Sequence, residues 1–153
     1  MNWRSFIDNR AKPVYNETLT NVVQGSDNQL RGTQNELQGN SNNVIGMNNA
    51  LFGDQNSIFG LSNNIFGNQN TILKGNDNIV KGDQNTLKGN NNLIDGSINQ
   101  VNGNTNSIKG NLNNLIGDQN MVVGDKNNLA GNNNTALGSS NAIQGNSNFL
   151  NGN

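Results

Sequence analysis

Four aspartates, Asp54, Asp83, Asp118 and Asp125, each stand directly behind a glycine, and their type and placement come nearest to chemistry in this chain. Carboxylates in glycine turns can hold calcium, but such an array needs an acid in every turn, and here most turns have none. The four read more simply as solvated turn residues, because Asp favours tight turns. His and Cys are both absent, which removes the usual general base, the usual thiolate nucleophile and the thiolate metal ligands. A phosphate-cradling glycine loop ends in Lys followed by Ser or Thr, and the chain contains no such pair. These residues predict a protein that is not an enzyme, with no cofactor, no metal site and no small-molecule substrate.

Charge narrows the partners further. The formal net charge is −1, and the nine basic residues are spread along the chain, so neither nucleic acid nor an anionic membrane is expected as a partner. Residues Met1 to Asn21 mix Arg4, Asp8, Arg10 and Lys12 into a few apolar positions. No apolar stretch there is long enough for a signal peptide or a membrane span, and the compartment stays open between extracellular and cytoplasmic. Only 31% of the chain is hydrophobic, a composition that by itself suits disorder or an Asn-rich aggregating tract.

Order in the sequence argues against disorder. All 19 glycines fall at or after Gly25, spaced by seven residues except between Gly67 and Gly75. Eighteen complete units of the form G-x-x-N-x-h-x run from Gly25 to Asn151, where h is Leu, Ile or Val except at Ala136. Asn21, Val23 and Gln24 fit the end of one further unit, so the repeat begins near Leu19. A solvated coil has no reason to keep one residue type in one slot. The repeat predicts stacking.

Asn and the aliphatic residue are two positions apart, so in an extended segment they share one face while their neighbours point away. In Gly53 to Phe59, Asn56 and Ile58 face inward, with Ser57 and Phe59 outward. Glycine turns the chain between units. A single unit buries almost nothing, but stacked coils lay aliphatic on aliphatic and amide on amide, with backbone hydrogen bonds along the axis. The inward amides form a structural ladder: Asn28, Asn35, Asn42, Asn49, Asn56, Asn63, Asn70, Asn78, Asn85, Asn92, Asn99, Asn106, Asn113, Asn120, Asn127, Asn134, Asn141 and Asn148. The fold class is all-β, a parallel β-solenoid over residues 21–153 preceded by a non-repetitive segment, 1–20. Two units per coil give a rod roughly 43 Å long at normal strand spacing, and three units in a triangular section also fit the repeat. The extra residue near 71–74 reads as a bulge at a corner.

Units such as Gly82-Asp83-Gln84-Asn85-Thr86-Leu87-Lys88 and Gly103-Asn104-Thr105-Asn106-Ser107-Ile108-Lys109 resemble the heptapeptide repeats of the grass ice-recrystallisation-inhibition proteins. The resemblance covers the chain from about Gly25 onward. It implies a left-handed β-roll with two heptads per coil, inward aliphatics, an internal Asn ladder and a flat outward face presenting Thr, Ser and Val to an ice surface. In the first outward slot, Thr occurs here at Thr71, Thr86 and Thr135. A looser similarity is to the β-roll heads of bacterial trimeric adhesins, whose repeats favour Ala and Ser where this chain has Asn.

The outward surface suggests contacts. Five consecutive units end in Ile45, Phe52, Phe59, Phe66 and Leu73, which two units per coil divide into Ile45/Phe59/Leu73 and Phe52/Phe66. A second stripe runs through Ile79, Leu93, Met121, Val123, Leu137 and Phe149, interrupted by Lys81, Asp95 and Lys109. The first 20 residues hold Trp3, Phe6, Ile7, Val14 and Tyr15, and Asn2 to Arg10 read as a short helix ended by Pro13. This segment is either a cap on its own first coil or an arm on a neighbour. The repeat stays in register through Phe149, Leu150 and Asn151 with no cap written, and an open coil is a template for another chain. The expected partner is therefore the protein itself, as a head-to-tail homopolymer in a filament, through Trp3, Phe6, Ile7, Tyr15, the Ile45 to Leu73 series, Phe149 and Leu150. The alternative is a soluble ice-binding protein whose partner is an ice surface.

Overall fold

The structure, a computed structural model, describes residues 7–9 and 21–152. The strands are, in order, β1 (Ile7–Asn9), β2 (Val22–Gln24), β3 (Asn28–Thr33), β4 (Glu36–Gln38), β5 (Asn43–Met47), β6 (Ala50–Phe52) and β7 (Ser57–Leu61). There follow β8 (Asn64–Phe66), β9 (Thr71–Lys74), β10 (Ile79–Lys81), β11 (Thr86–Lys88), β12 (Leu93–Asp95), β13 (Gln100–Asn102) and β14 (Ser107–Lys109). The last are β15 (Asn114–Ile116), β16 (Met121–Val123), β17 (Asn128–Ala130), β18 (Thr135–Leu137), β19 (Ala142–Gln144) and β20 (Phe149–Asn151). No helix occurs among the described residues.

Odd-numbered strands form one ten-stranded sheet and even-numbered strands the other. From β3 onward each strand pairs in parallel with the strand two places on, as in Leu30↔Val44 and Leu37↔Leu51. The partners are 14 residues apart, or 15 across the inserted residue, so each coil takes two heptads and the chain is a parallel β-solenoid. The triangular section is thereby set aside. Between the sheets lie two facing columns of single aliphatic residues. Leu30, Val44, Ile58 and their successors come from the first sheet, and Val23, Leu37, Leu51 and theirs from the second; all are buried. One such residue per heptad fills this thin core, which is why 31% hydrophobic content suffices.

Two departures from the repeat are informative. The extra residue sits at the end of β9, where the pairing runs Leu87↔Ile72 and then Lys88↔Lys74, leaving Leu73 out of register and 53% exposed. The expected helix at the N-terminus is corrected over Ile7–Asn9, which form a strand antiparallel to β3, with Ile7 opposite Leu30 and Asn9 opposite Asn28. The reason is tertiary: β3 would otherwise present an unpaired edge, and its hydrogen-bonding groups recruit the segment regardless of local helical spacing. Trp3, Phe6, Val14 and Tyr15 lie outside the described residues.

The corners depend on two backbone conformations. At Gly53, φ is +141°, and a Cβ there would stand 1.9 Å from the carbonyl oxygen of Gly67 in the next coil. The glycine slot is therefore fixed by close approach of coil to coil as well as by torsion. Two residues later each turn places a non-glycine residue at positive φ, usually Asn, Asp, Gln or Ser, but Ile98 at +60° and Leu112 at +59°. A branched side chain in that region is strained, and both are about half exposed, so burial offsets little of the cost. Replacing Ile98 with Asn is expected to stabilise the protein by about 1 kcal/mol and to raise its melting temperature by circular dichroism; an unchanged or lower melting temperature would count against strain at this corner.

Candidate functional site

Two features could carry function: the hydrogen-bonded ladders that fix the coils and the outward columns that the ladders space. The inner ladder begins with the Asn slot, since every Asn from Asn28 to Asn141 in that slot is buried. Asn106 shows the pattern. Its Nδ2 donates to Asn92 Oδ1 at 3.0 Å and to the Gly117 carbonyl at 2.9 Å. Its own Oδ1 accepts from the backbone N–H of Asn120 at 2.9 Å and from Asn120 Nδ2 at 3.1 Å. One amide thus holds the coil before, the coil after and the glycine turn beside it, and all four hydrogen-bonding positions of the side chain are used. Asn21, outside the eighteen complete units, is the first rung, accepting from Asn35 N–H at 3.0 Å. Among the described residues none donates to Asn148 Oδ1 in this way, but Asn148 still donates to Asn134 Oδ1 at 3.0 Å. The inserted residue does not interrupt the series, because Asn85 bonds to Asn70 at 3.0 Å across a 15-residue step.

A second ladder runs along the turns and was not expected from the sequence. At the corner from the second sheet to the first, the residue after glycine accepts from the backbone N–H one coil earlier. Asn40 N–H donates to Asp54 Oδ1 at 2.6 Å, Asp54 N–H to Asn68 Oδ1 at 2.8 Å, and Asn68 N–H to Asp83 Oδ1 at 2.7 Å. At the opposite corner the same arrangement starts at Asn76 and includes Asn104 N–H to Asp118 Oδ1 at 2.6 Å. Asp54, Asp83, Asp118 and Asp125 stay in exposed turns and in addition serve as rungs, with their carboxylate oxygens accepting from the coil before. The four do not gather into a metal site: among the described residues no group of three potential ligands comes together. A readable signal was present. In every second heptad from Gly25 to Gly138 the residue after glycine is Ser, Asn or Asp, with no exception.

The outward columns differ between sheets. On the first sheet, the slot before the aliphatic residue reads Asn43, Ser57, Thr71, Thr86, Gln100, Asn114, Asn128 and Ala142, in register from coil to coil and free of charge. The corresponding slot on the second sheet mixes Glu36, Ala50, Asn64, Ile79, Leu93, Ser107 and Met121. Ile79, Leu93 and Met121 are each more than 40% exposed. Asn64 Oδ1 there is buried without a hydrogen-bond partner.

The residues expected at an assembly interface are divided by the fold. Ile45, Phe59 and Leu73 belong to the first sheet, and Phe52 and Phe66 to the second, where their rings stack with centroids 5.2 Å apart and planes 5° from parallel. Phe149 and Leu150 lie on β20 and are 68% and 37% exposed. Val123 and Leu137 pair in a column of their own beside Met121 and Thr135.

Losing an inner rung is expected to cost more than losing an outer one. Asn92→Ala or Asn106→Ala should destabilise by roughly 1–3 kcal/mol, since buried donors and acceptors lose their partners. Asp118→Asn, which keeps an acceptor on an exposed rung, should change stability by less than about 0.5 kcal/mol. Denaturant unfolding checks both, and equal midpoints for wild type and the two alanine variants would refute the inner ladder's energetic role.

Comparison with known proteins gives one family match, to the grass antifreeze beta roll, over residues 45–145. A search among curated proteins finds no match. The matched span covers about two thirds of the chain and includes most of the stacked coils just described, so the chain belongs to the grass antifreeze β-roll family.

Proposed function

We propose that the protein binds ice through the first sheet, using the uncharged column from Asn43 through Ser57, Thr71 and Thr86 to Ala142, and that it acts without catalysis. The observation behind this reading is the family match, whose span takes in that column from Ser57 onward. The geometry is favourable in two ways. Parallel pairing repeats each outward side chain at about 4.8 Å along the axis, which gives a regular array for a regular lattice. The inner ladder holds the backbone beneath it in place, so little ordering is lost on adsorption.

The column is mixed in side chain, with hydroxyls in the middle and amides on either side. Such a surface should adsorb modestly. Recrystallisation is the sensitive readout, because grain growth is driven by very small free-energy differences and weak adsorption at boundaries slows it. Purified protein is expected to keep ice grains small in annealed frozen solution. Thr71→Lys together with Thr86→Lys should abolish that effect, while Ser107→Lys on the second sheet should leave it intact. Grain growth equal to that with an inert protein of similar size would end the ice-binding reading, and equal loss from both sets of substitutions would remove the first sheet as its face.

End-to-end assembly into a filament has no comparable observation behind it. Its expected side stripes, Ile45/Phe59/Leu73 and Phe52/Phe66, lie on different sheets, as two units per coil divide them.

A further inference from the structure

The outward face of the second sheet sets a short row of charge in apolar surroundings. Each of its strands points one residue outward on either side of the inward aliphatic. In the slot after the aliphatic, Lys81, Asp95 and Lys109 stack in register, with Phe52 and Phe66 on one side of them and Val123 on the other. In the slot before it, Ile79 and Leu93 lie beside the charges and Met121 beside Val123. Phe66, Ile79, Leu93, Met121 and Val123 are between 39% and 49% exposed. An apolar sheet face of this extent calls for a cover.

We propose that the cover is a second copy of the chain, laid face to face on the second sheet with the solenoid axes opposed, so that Lys81 of each copy meets Asp95 of the other. The twofold axis then runs along the strands, between β10 and β12, and sets each outward slot against the same slot of the other copy. That register satisfies more than the charges. Phe52 meets Val123, Ala50 meets Met121, Ile79 meets Leu93 and Asn64 meets Ser107, so apolar groups oppose apolar ones and polar groups oppose polar ones. Lys109 falls on the Phe66 ring, where the aromatic face attracts a cation.

Other placements fail on the same residues. Sliding by one strand sets Asp95 on Asp95 or Lys81 on Lys81. Sliding by two strands either pairs Asp95 with Lys109 and leaves Lys81 buried against Val123, or sets Asp95 on Phe52, and each strands a charge without a partner. With the axes running the same way, one slot faces the other, so Lys81 meets Ile79 and Asp95 meets Leu93. Size is adequate: ten strands with two outward residues each offer twenty side chains, at the lower end of the roughly 20–30 residues a side of a standard interface. The first sheet of each copy stays outward, so the proposal stands apart from ice binding.

Sedimentation of the full chain is expected to show a dimer that dissociates on dilution. Lys81→Asp alone and Asp95→Lys alone should each weaken it by more than about tenfold, because like charges then oppose, with β circular dichroism unchanged. Lys88→Asp, the same change on the first sheet, should leave the dimer intact. Mixing the two second-sheet variants should restore dimers, since the new acid of one chain meets the new base of the other and a native pair completes the set. Should either variant lose its β signal, Val123→Ser is expected to weaken the dimer in its place. The proposal is overturned if the unmodified chain sediments as a monomer at every concentration, if the second-sheet variants dimerise as tightly as the unmodified chain, or if their mixture stays monomeric.

Discussion

Everything in this solenoid depends on a buried amide that bonds in two axial directions at once. An aliphatic column alone would tolerate sliding, since Leu over Val differs little from Leu over Ile. The Asn side chain does not tolerate it. Its oxygen is set against a backbone N–H and an amide of the next coil, and its nitrogen against the previous amide and a glycine carbonyl. A register slip would strand several polar groups in a nearly dry interior, each costing about 1–3 kcal/mol. That penalty, repeated in every coil, fixes the stacking far more sharply than the small core could.

The outer ladder complements the inner one in polarity. Inner oxygens accept from the coil that follows, whereas the oxygens after the turn glycines accept from the coil that precedes. Each coil is thus tied in both senses along the axis by side chains as well as by backbone bonds. Asn, Asp and Ser interchange on the outer ladder because it sits in water, where only an acceptor is required. The inner ladder needs a donor and an acceptor on one short side chain, and only Asn is used there. The same logic explains the turn position with positive φ, where polar residues prevail and Ile98 and Leu112 stand out as strained.

Much of this was legible in the sequence. The heptad, the inward Asn and the inward aliphatic residue follow from spacing alone, because a two-residue separation in an extended chain has one geometric meaning. The outer ladder is not visible in the single heptad, because its two corners alternate along the chain. Ser26, Asn40, Asp54 and Asn68 alternate with Thr33, Met47 and Leu61 in the same slot, and only the 14-residue coil separates the two corners into distinct rows. The N-terminal strand was illegible for a different reason. Ile7 to Asn9 carry no strand pattern of their own, and they are extended because β3 offers them an edge.

A fold whose interior repeats so strictly leaves its exterior free to vary. Stacking is settled by residues that point inward or lie in the turns, so the outward slots contribute little to which coil sits on which. Their residues can then be selected for what they touch. This separation is why Phe52 and Phe66 can stack on one sheet while hydroxyls and amides line the other without any change in coil geometry. It also sets a limit on that freedom: side chains outside are placed on a grid whose spacing the amides inside determine. A surface that must match a lattice therefore depends on rungs that never reach solvent, and a change at Asn70 or Asn85 would disturb the spacing of Thr71 and Thr86 without touching either.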